Sequence, residues 1–283
     1  MPGPAPASVV APAPSPSVPS PYWWRWNDTS TWQTQGHETT PFKSLLVKDG
    51  PEINDVVAFE KFKFLTRATG LPVNSVNKIY AIQPPHLVVP FESSRSVYEG
   101  RHRESPNLFK KQDWVGEPNA DLRDLYLREY ESRAAKFYWN EAGAQVTLPL
   151  LHGTSEAAVW KICQQAFGQV STLDGGYFGR GIYFSGNFEY ASRYSQSIGP
   201  KLFILAAVLP GNPFPVTENP FEPKSYHGQA CRPGYQSHIS FVNTSDAMPT
   251  ISTDLTNPAE VVDEIVIFDY GQALPCFVFY MQQ

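Results

Sequence analysis

The chain has 283 residues, 42% of them hydrophobic and 17% charged, and its formal net charge is −5. This length suits one large domain or two small ones, and the acidic balance argues against a general nucleic-acid binder, with a local basic patch still open. An apolar run near residue 205 is about half as long as a membrane span, so it predicts a buried strand. The first residues lack the pattern of a signal peptide, and three widely spaced cysteines predict reduced thiols in an intracellular protein, cytoplasmic or nuclear.

The first 44 residues differ in composition from the rest. Residues 1–21 are almost wholly Pro, Ala, Ser and Val, and because proline fixes φ and lacks a backbone donor, they predict a disordered tail. Residues 22–44 form an aromatic segment, in which Asn27, Asp28 and Ser30 predict a turn between two short strands. Its tryptophans are Trp23, Trp24, Trp26 and Trp32.

From about residue 52 the pattern is that of a globular domain. Apolar residues at helical spacing predict helices over 52–70, 121–139, 155–168 and 188–196, the first ending at Gly70 and the third at Gly168. Strands are predicted over 77–83, 144–154, 181–185, 201–211, 238–243, 263–272 and 274–281, and prolines at 84 and 85 stop the first of them. Because strands dominate late and helices precede or interrupt them, the sequence predicts an α+β fold with a mostly antiparallel core.

Several common site motifs do not fit the sequence. The glycine-rich stretch GGYFGRGIYFS, residues 175–185, lacks the third glycine of the dinucleotide fingerprint, and the chain has neither a Walker lysine nor a nucleophile elbow. A polar loop is favoured over a zinc site at His227, Cys231 and His238, because their spacing is irregular and a fourth ligand is missing. A basic cluster predicts a solvated loop, with a surface for an acidic acceptor as the alternative. It comprises Arg101, His102, Arg103, Lys110 and Lys111.

Three further motifs follow one another along the chain. LLHGT ends a predicted strand with His152 and Gly153, GGYFGRGIYFS places Tyr183 in a strand eleven residues before Tyr194, and DEIVIFDYGQALP places Glu264 before a buried apolar run. In this order and spacing they resemble the histidine, tyrosine and glutamate motifs of the poly(ADP-ribose) polymerase superfamily, the diphtheria-toxin-like ADP-ribosyltransferases. The resemblance covers about residues 52–283, and the catalytic domain is placed at 45–283.

The resemblance implies a fold of two small, mostly antiparallel sheets with an NAD crevice between them and flanking helices. Tyr183 and Tyr194 would stack on the nicotinamide ring, Gly153 would bond its carboxamide through the backbone, and His152 would bind an adenine-ribose hydroxyl. For His152 the alternative is a side chain that only ties a strand end to its neighbour. Glycines of the 175–185 stretch would let the backbone approach the ligand closely. The further NAD contacts implied are Thr154, Tyr177, Arg180, Gly181, Phe184 and Ser192.

The same resemblance implies the chemistry. Glu264, with His152 and Tyr183, would cleave the nicotinamide–ribose bond of NAD, a substrate, without a metal and transfer ADP-ribose to a protein acceptor, the chain itself included. A nucleic-acid acceptor stays open, a monomer is expected, and the motifs favour neither single-unit transfer nor polymer formation. The alternatives are a weak or inactive ADP-ribose- or NAD-binding module and an NAD glycohydrolase. In the family a serine that bonds the nicotinamide carboxamide stands where this chain has Ala191, so we expect that hydrogen bond to be missing or to come from Ser192 instead.

The aromatic segment 22–44 also partly resembles the start of a WWE domain, an ADP-ribose-binding module. Trp24, Trp26 and Trp32 resemble its W-x-W…W pattern, but the segment is too short for the whole module. Two interpretations therefore stay open, namely a diverged WWE-like remnant and an aromatic strap that packs on the catalytic domain.

Overall fold

A computed structural model describes residues 22–26, 28–30, 32–33, 40–47, 55–108, 113–140, 145–168, 175–244, 248–257 and 260–282. The predicted tail, residues 1–21, lies outside this described part, as do Asn27, Lys110 and Lys111. Among the described residues, no helix is long and apolar enough to cross a membrane. The three cysteines are free thiols.

Two sheets make up the framework of the described residues. The first sheet has the order β1-β2-β10-β5-β3 with antiparallel neighbours, and the second has the order β4-β9-β7-β6, with β8 added on β7 and only the β6–β7 pair parallel. The strands are β1 Phe42–Val47, β2 Val76–Ile82, β3 Leu148–Thr154, β4 Ile182–Phe184, β5 Leu202–Val208, β6 Pro213–Pro215, β7 Ser237–Asn243, β8 Thr250–Ile251, β9 Val261–Ile267 and β10 Ala273–Met281. The predicted α+β fold with a mostly antiparallel core is confirmed.

Helices cover the sheets. They are α1 Val56–Thr66, α2 Pro85–Glu104, α3 Ala120–Ala135, α4 Glu156–Gln165 and α5 Phe188–Ser192. The central strand β5 is buried on both faces, with Ile204 in the core shared with the second sheet and Phe203 in the core below α1 and α2. Since successive side chains point to opposite faces, a strand covered on both sides becomes apolar at every position. The apolar run near residue 205 is therefore a buried strand, as predicted.

The long helix α2 was not predicted from the sequence. Pro84 and Pro85 do end β2, but Pro85 occupies the first turn of α2, where the missing N–H costs nothing. The predicted solvated loop is wrong for Arg101, His102 and Arg103, which are exposed in the last turn of this helix. Cations there interact favourably with the negative end of the helix dipole.

Helix ends also differ from their predicted positions. Asp55 caps α1 by accepting a hydrogen bond from the Ala58 N–H, so this helix begins after residue 55 and ends four residues before Gly70. The helix α4 ends at Gln165, because Ala166 adopts a φ of 97° and breaks the helix before Gly168 is reached. The helix α5 is only five residues long.

The aromatic segment packs on the first sheet and its helices. The Trp24 indole donates to Glu92 of α2 at 2.7 Å, and Trp26 lies between Phe277 of β10 and the Lys61 ammonium, 3.7 Å from the ring centroid. Its predicted turn is present, since Asp28 accepts from the Ser30 N–H. Of the two predicted short strands, the described residues of 22–33 show only a single bridge from Gln33 to Phe42, and residues 31 and 34–39 lie outside the described part. The described tryptophans of the segment thus pack against α1, α2 and β10.

Candidate active site

A cavity of about 670 Å³ lies where the edges of the two sheets meet. Leu151 of β3 and Ser185 after β4 exchange both backbone hydrogen bonds, at 2.9 and 3.0 Å, and so join the sheets at one point. The volume of the cavity falls within the range of about 300–1,000 Å³ typical of small-molecule and cofactor sites. Eight of the predicted site residues line it: His152, Gly153, Thr154, Gly181, Tyr183, Phe184, Tyr194 and Glu264.

Gly153 lies on β3, the last strand of the first sheet, with no room for a side chain. The N–H and C=O of Leu151 point away from β5 toward Ser185. In an antiparallel strand the direction of these groups repeats every second residue, so the N–H and C=O of Gly153 also point away from β5. A Cβ on Gly153 would lie 2.1 Å from the Ala191 carbonyl oxygen. The edge strand therefore presents bare backbone polar groups beside the cavity.

The ring of His152 connects the two strands that border the cavity. Its Nδ1 lies 2.9 Å from the Tyr183 carbonyl oxygen, which can only accept, so Nδ1 carries the proton and Nε2 is left as an acceptor. Burial lowers the pKa of His152, which keeps the ring neutral. His152 thus ties the end of β3 to β4, as in the alternative interpretation, and also lines the cavity.

Tyr183 is held by the glycine-rich turn that precedes it, which contains Phe178 and Gly179. Its hydroxyl accepts from the Phe178 N–H at 2.9 Å and donates to the Gly179 carbonyl at 2.7 Å. Gly179 has a φ of 128°, and a Cβ there would lie 2.7 Å from Phe268 and 2.8 Å from His238. At this position the glycine is thus required by the close packing of the protein's own side chains, whereas the sequence predicted close approach to the ligand.

His238 holds the same glycine-rich turn in place. Its Nδ1 donates to the Phe178 carbonyl at 2.6 Å and its Nε2 accepts from the Arg232 N–H at 2.9 Å, while burial lowers its pKa to about 4. Both ring nitrogens are therefore engaged by the backbone and neither can bind a metal. Across the described residues no cluster of three or more His, Cys, Asp or Glu side chains could hold one.

Glu264 reaches the cavity from β9, the strand next to β4. It is only 2% exposed and lines the cavity together with Tyr190 and Tyr194 of the α5 region. The hydroxyls of these two tyrosines lie 3.1 Å apart. Burial, followed by the charge of Glu264 and by hydrogen bonds to Tyr194 and Glu264, raises the pKa of Tyr190. A buried carboxylate and a pair of phenols thus form one side of the cavity.

The neighbouring acid has a different environment. Asp263 accepts from the Gly186 N–H at 3.1 Å and lies 3.2 Å from the Arg133 guanidinium of α3. Because successive strand residues face opposite sides, it points away from the cavity and ties β9 to the turn after β4. Of the two consecutive acids, only Glu264 belongs to the site.

Three predicted NAD contacts are not brought into the cavity lining. The Tyr177 hydroxyl donates to Met248 Sδ at 3.2 Å, Arg180 is exposed with its N–H bonded to the Gln229 carbonyl, and the Ser192 hydroxyl donates to the Glu189 carbonyl at 2.7 Å. The residue in the expected serine position, Ala191, lines the cavity. The Ser192 hydroxyl therefore bonds within the short helix α5 and is not directed into the cavity lining.

Sequence reasoning missed Tyr190 and the apolar end of the cavity. Tyr190 precedes Tyr194 by four residues, a spacing that places two helical residues on one face, and this signal was available in the sequence. The apolar end is formed by α4 and the residues after it, with Ala158, Ile162 and Phe167 in the lining. Nothing in the periodicity of α4 distinguishes such a wall from an ordinary core face.

One family profile matches the chain. The profile described as the poly(ADP-ribose) polymerase catalytic domain matches residues 112–283, well over half of the chain. No curated protein matches it. The matched segment begins after β1 and β2, yet β2 pairs with β10 in the first sheet, so these strands are continuous with the matched region.

Proposed function

The chain belongs to the poly(ADP-ribose) polymerase catalytic-domain family, and from this membership we propose that it cleaves the nicotinamide–ribose bond of NAD and transfers ADP-ribose to a protein acceptor. The observation that carries the proposal is the convergence of Gly153, Tyr183 and Glu264, one from each of the three motifs, on a single cavity. Backbone polar groups, an aromatic face and a buried carboxylate are what binding and cleaving NAD require.

The nicotinamide end is proposed to bind beside Tyr183 and Tyr194. Aromatic side chains offer flat faces for stacking, and Tyr183 is fixed in place by two hydrogen bonds through its hydroxyl. The carboxamide has one donor and one acceptor group, which match the N–H and C=O that Gly153 directs away from β5. This match supports binding of nicotinamide at the β3 edge.

The ribose of the adenosine half is proposed to bind at His152. With Nδ1 protonated and bonded to the Tyr183 carbonyl, Nε2 can accept a hydrogen bond from a ribose hydroxyl. Burial keeps the ring neutral, so this acceptor persists at neutral pH. This hydrogen bond contributes to the affinity for NAD and not to the rate of cleavage, since it is equally available before and during bond cleavage.

Glu264 is proposed to supply the chemistry. When the bond from ribose C1′ to the nicotinamide nitrogen breaks, its electron pair leaves with neutral nicotinamide and positive charge develops on the ribose. A carboxylate that accepts from a ribose hydroxyl stabilises that charge, and burial strengthens the interaction because the local dielectric constant is low. The acceptor's nucleophilic atom then bonds to C1′ and gives up its proton, for which the same carboxylate is a suitable base.

Intact-mass analysis after incubation with NAD tests this function. Transfer to the chain itself adds whole ADP-ribose units to its mass, and labelled NAD with added proteins detects transfer in trans, while nicotinamide release measures turnover. Glu264→Gln should lower turnover about 100-fold or more with little change in NAD affinity, the scale of losing one preorganised electrostatic group. The matched control is Glu260→Gln, the same change at an exposed position before β9.

Three results would contradict the proposal. Release of nicotinamide with all ADP-ribose free in solution would identify a glycohydrolase instead. Binding of NAD without release of nicotinamide would identify a binding module. Near-normal turnover by Glu264→Gln, or an equal loss with Glu260→Gln, would remove Glu264 from the chemistry.

A further inference from the structure

Tyr190 is a buried phenol at the centre of the site for which binding and cleavage of NAD, as proposed above, give no role. It lies in α5, is only 2% exposed, and lines the cavity next to Glu264. The turn that carries it is well defined, because Asn187 caps α5 by accepting the Tyr190 N–H at 2.9 Å. Its hydroxyl lies 3.1 Å from that of Tyr194 and is also hydrogen-bonded to the Glu264 side chain.

The direction of these hydrogen bonds follows from the chemistry of the end group. An ionised carboxylate can only accept, so the Tyr190 hydroxyl must give its single proton to Glu264. Its oxygen then remains as the acceptor for the proton of Tyr194. The chain of donors therefore runs from Tyr194 through Tyr190 to Glu264.

We infer that Tyr190 is a positioning residue, which orients the Glu264 carboxylate and couples it to Tyr194, the side chain proposed to stack on nicotinamide. The inference rests on the proposed transferase function. Its consequence is that the catalytic carboxylate and the ring that binds the leaving group share one hydrogen-bonded chain. Loss of the Tyr190 hydroxyl should impair Glu264 while the aromatic surface of the cavity is preserved.

The charged side chains near the hydrogen bonds from Tyr194 through Tyr190 to Glu264 interact with other partners. The Arg193 guanidinium lies 5.7 Å from the Tyr190 ring centroid and donates to the Thr244 carbonyl, so it shields the outer face of the ring. Asp263 is directed away and lies against Arg133. On the remaining side, from β3 and β4, the cavity presents the neutral ring of His152 and the phenol of Tyr183. Tyr190 is thus a donor to Glu264 that can be removed without deleting a ring or a charge.

The test compares Tyr190→Phe with wild type in two measurements. In kinetics, kcat should fall about 10- to 100-fold, the effect of removing a hydrogen bond to a charged group, while KM for NAD stays near the wild-type value. In ¹³C NMR of protein with labelled glutamate carboxyls, the Glu264 resonance, assigned by its loss in Glu264→Gln, should titrate at a higher pH. A donor to the carboxylate favours its charged form, so removing that donor raises its pKa.

Two control variants separate positioning from general loss of structure. Tyr126→Phe also removes a buried hydroxyl, one that bonds to the Phe241 and Ser252 carbonyls, and it should lower Tm without moving the Glu264 midpoint. Tyr194→Phe removes the hydroxyl that donates to Tyr190 and should reduce kcat less than Tyr190→Phe. A Glu264 midpoint unchanged in Tyr190→Phe would overturn the inference, even if kcat fell. Since NMR needs no turnover, an inactive wild type would refute the proposed function while the midpoint still decides whether Tyr190 holds Glu264.

Discussion

Replacing Gly153 by alanine should damage both stability and activity through a single methyl group. The new Cβ would lie 2.1 Å from the Ala191 carbonyl oxygen, 3.0 Å from the Ser195 nitrogen and 3.1 Å from the Tyr194 carbonyl carbon, whereas ordinary contacts begin at 3.4 Å. All three neighbours are backbone atoms of the segment that carries Tyr194. That segment must therefore withdraw from β3 by roughly 1 Å, a shift that rotamer changes cannot absorb.

The size of the effect follows from this displacement. Overpacking against backbone costs about 3 kcal/mol, which corresponds to a fall in Tm of roughly 6–12 °C for a domain of this size. A displacement of about 1 Å in a residue that positions substrate costs about 100-fold in rate, so kcat/KM for NAD should fall on that scale. Thermal unfolding and nicotinamide release measure the two effects, and circular dichroism verifies that the variant is folded.

Gly100→Ala provides the matched control. Gly100 lies in α2, and a Cβ there meets no atom within 4 Å, so the substitution should leave turnover unchanged and stabilise the protein by about 0.5–1 kcal/mol. Wild-type Tm and turnover in Gly153→Ala would refute the close approach of β3 and α5. Equal damage from Gly100→Ala would show a general intolerance of alanine.

Three further outcomes are expected. A benzamide-type compound should raise the Tm of the wild type, because it binds only the folded state, and Tyr194→Ala should erase that shift; a surviving shift would contradict stacking on this ring. Burial holds the pKa of His238 at about 4, below its ordinary 6.5, so proton uptake opposes folding and stability should fall as the pH drops from 6.5 toward 4; chemical denaturation should show a smaller fall in His238→Gln. Ala191→Ser, which adds a hydroxyl to the cavity lining, should lower KM for NAD with kcat little changed, and an unaltered KM would show that this position does not touch the substrate.

Deleting residues 1–21 is expected to leave Tm and NAD turnover unaltered. Pro, Ala and Ser without apolar periodicity cannot bury enough surface to fold. A variant lacking the aromatic segment as well provides the contrast, because Trp23 and Trp24 are buried in the core below α1 and α2. A large loss of stability from the shorter deletion would contradict the expectation.

Local sequence patterns determined the class of fold and most of the strands. The apolar runs of β5 and β10 favour strands, because a strand covered on both faces is apolar at consecutive positions and these runs are too short for typical buried helices. The three motifs likewise indicated His152, Tyr183 and Glu264 together, since their order and spacing are specific even though each residue alone is ambiguous. Composition also separated residues 1–21 from the rest of the chain.

Tertiary contacts decided what the local pattern could not. Prolines at 84 and 85 end a strand and equally well begin a helix, and the packing of α2 on β10 and on the turn at residues 270–272 decides for the helix. Whether a polar side chain faces a ligand or its own backbone is also decided in three dimensions: the Ser192 hydroxyl bonds to Glu189, and Tyr177 contacts Met248, although each is next to a motif residue. The donor chain from Tyr194 through Tyr190 to Glu264 joins residues far apart in the sequence, and periodicity reports only which residues share a face, never which faces meet.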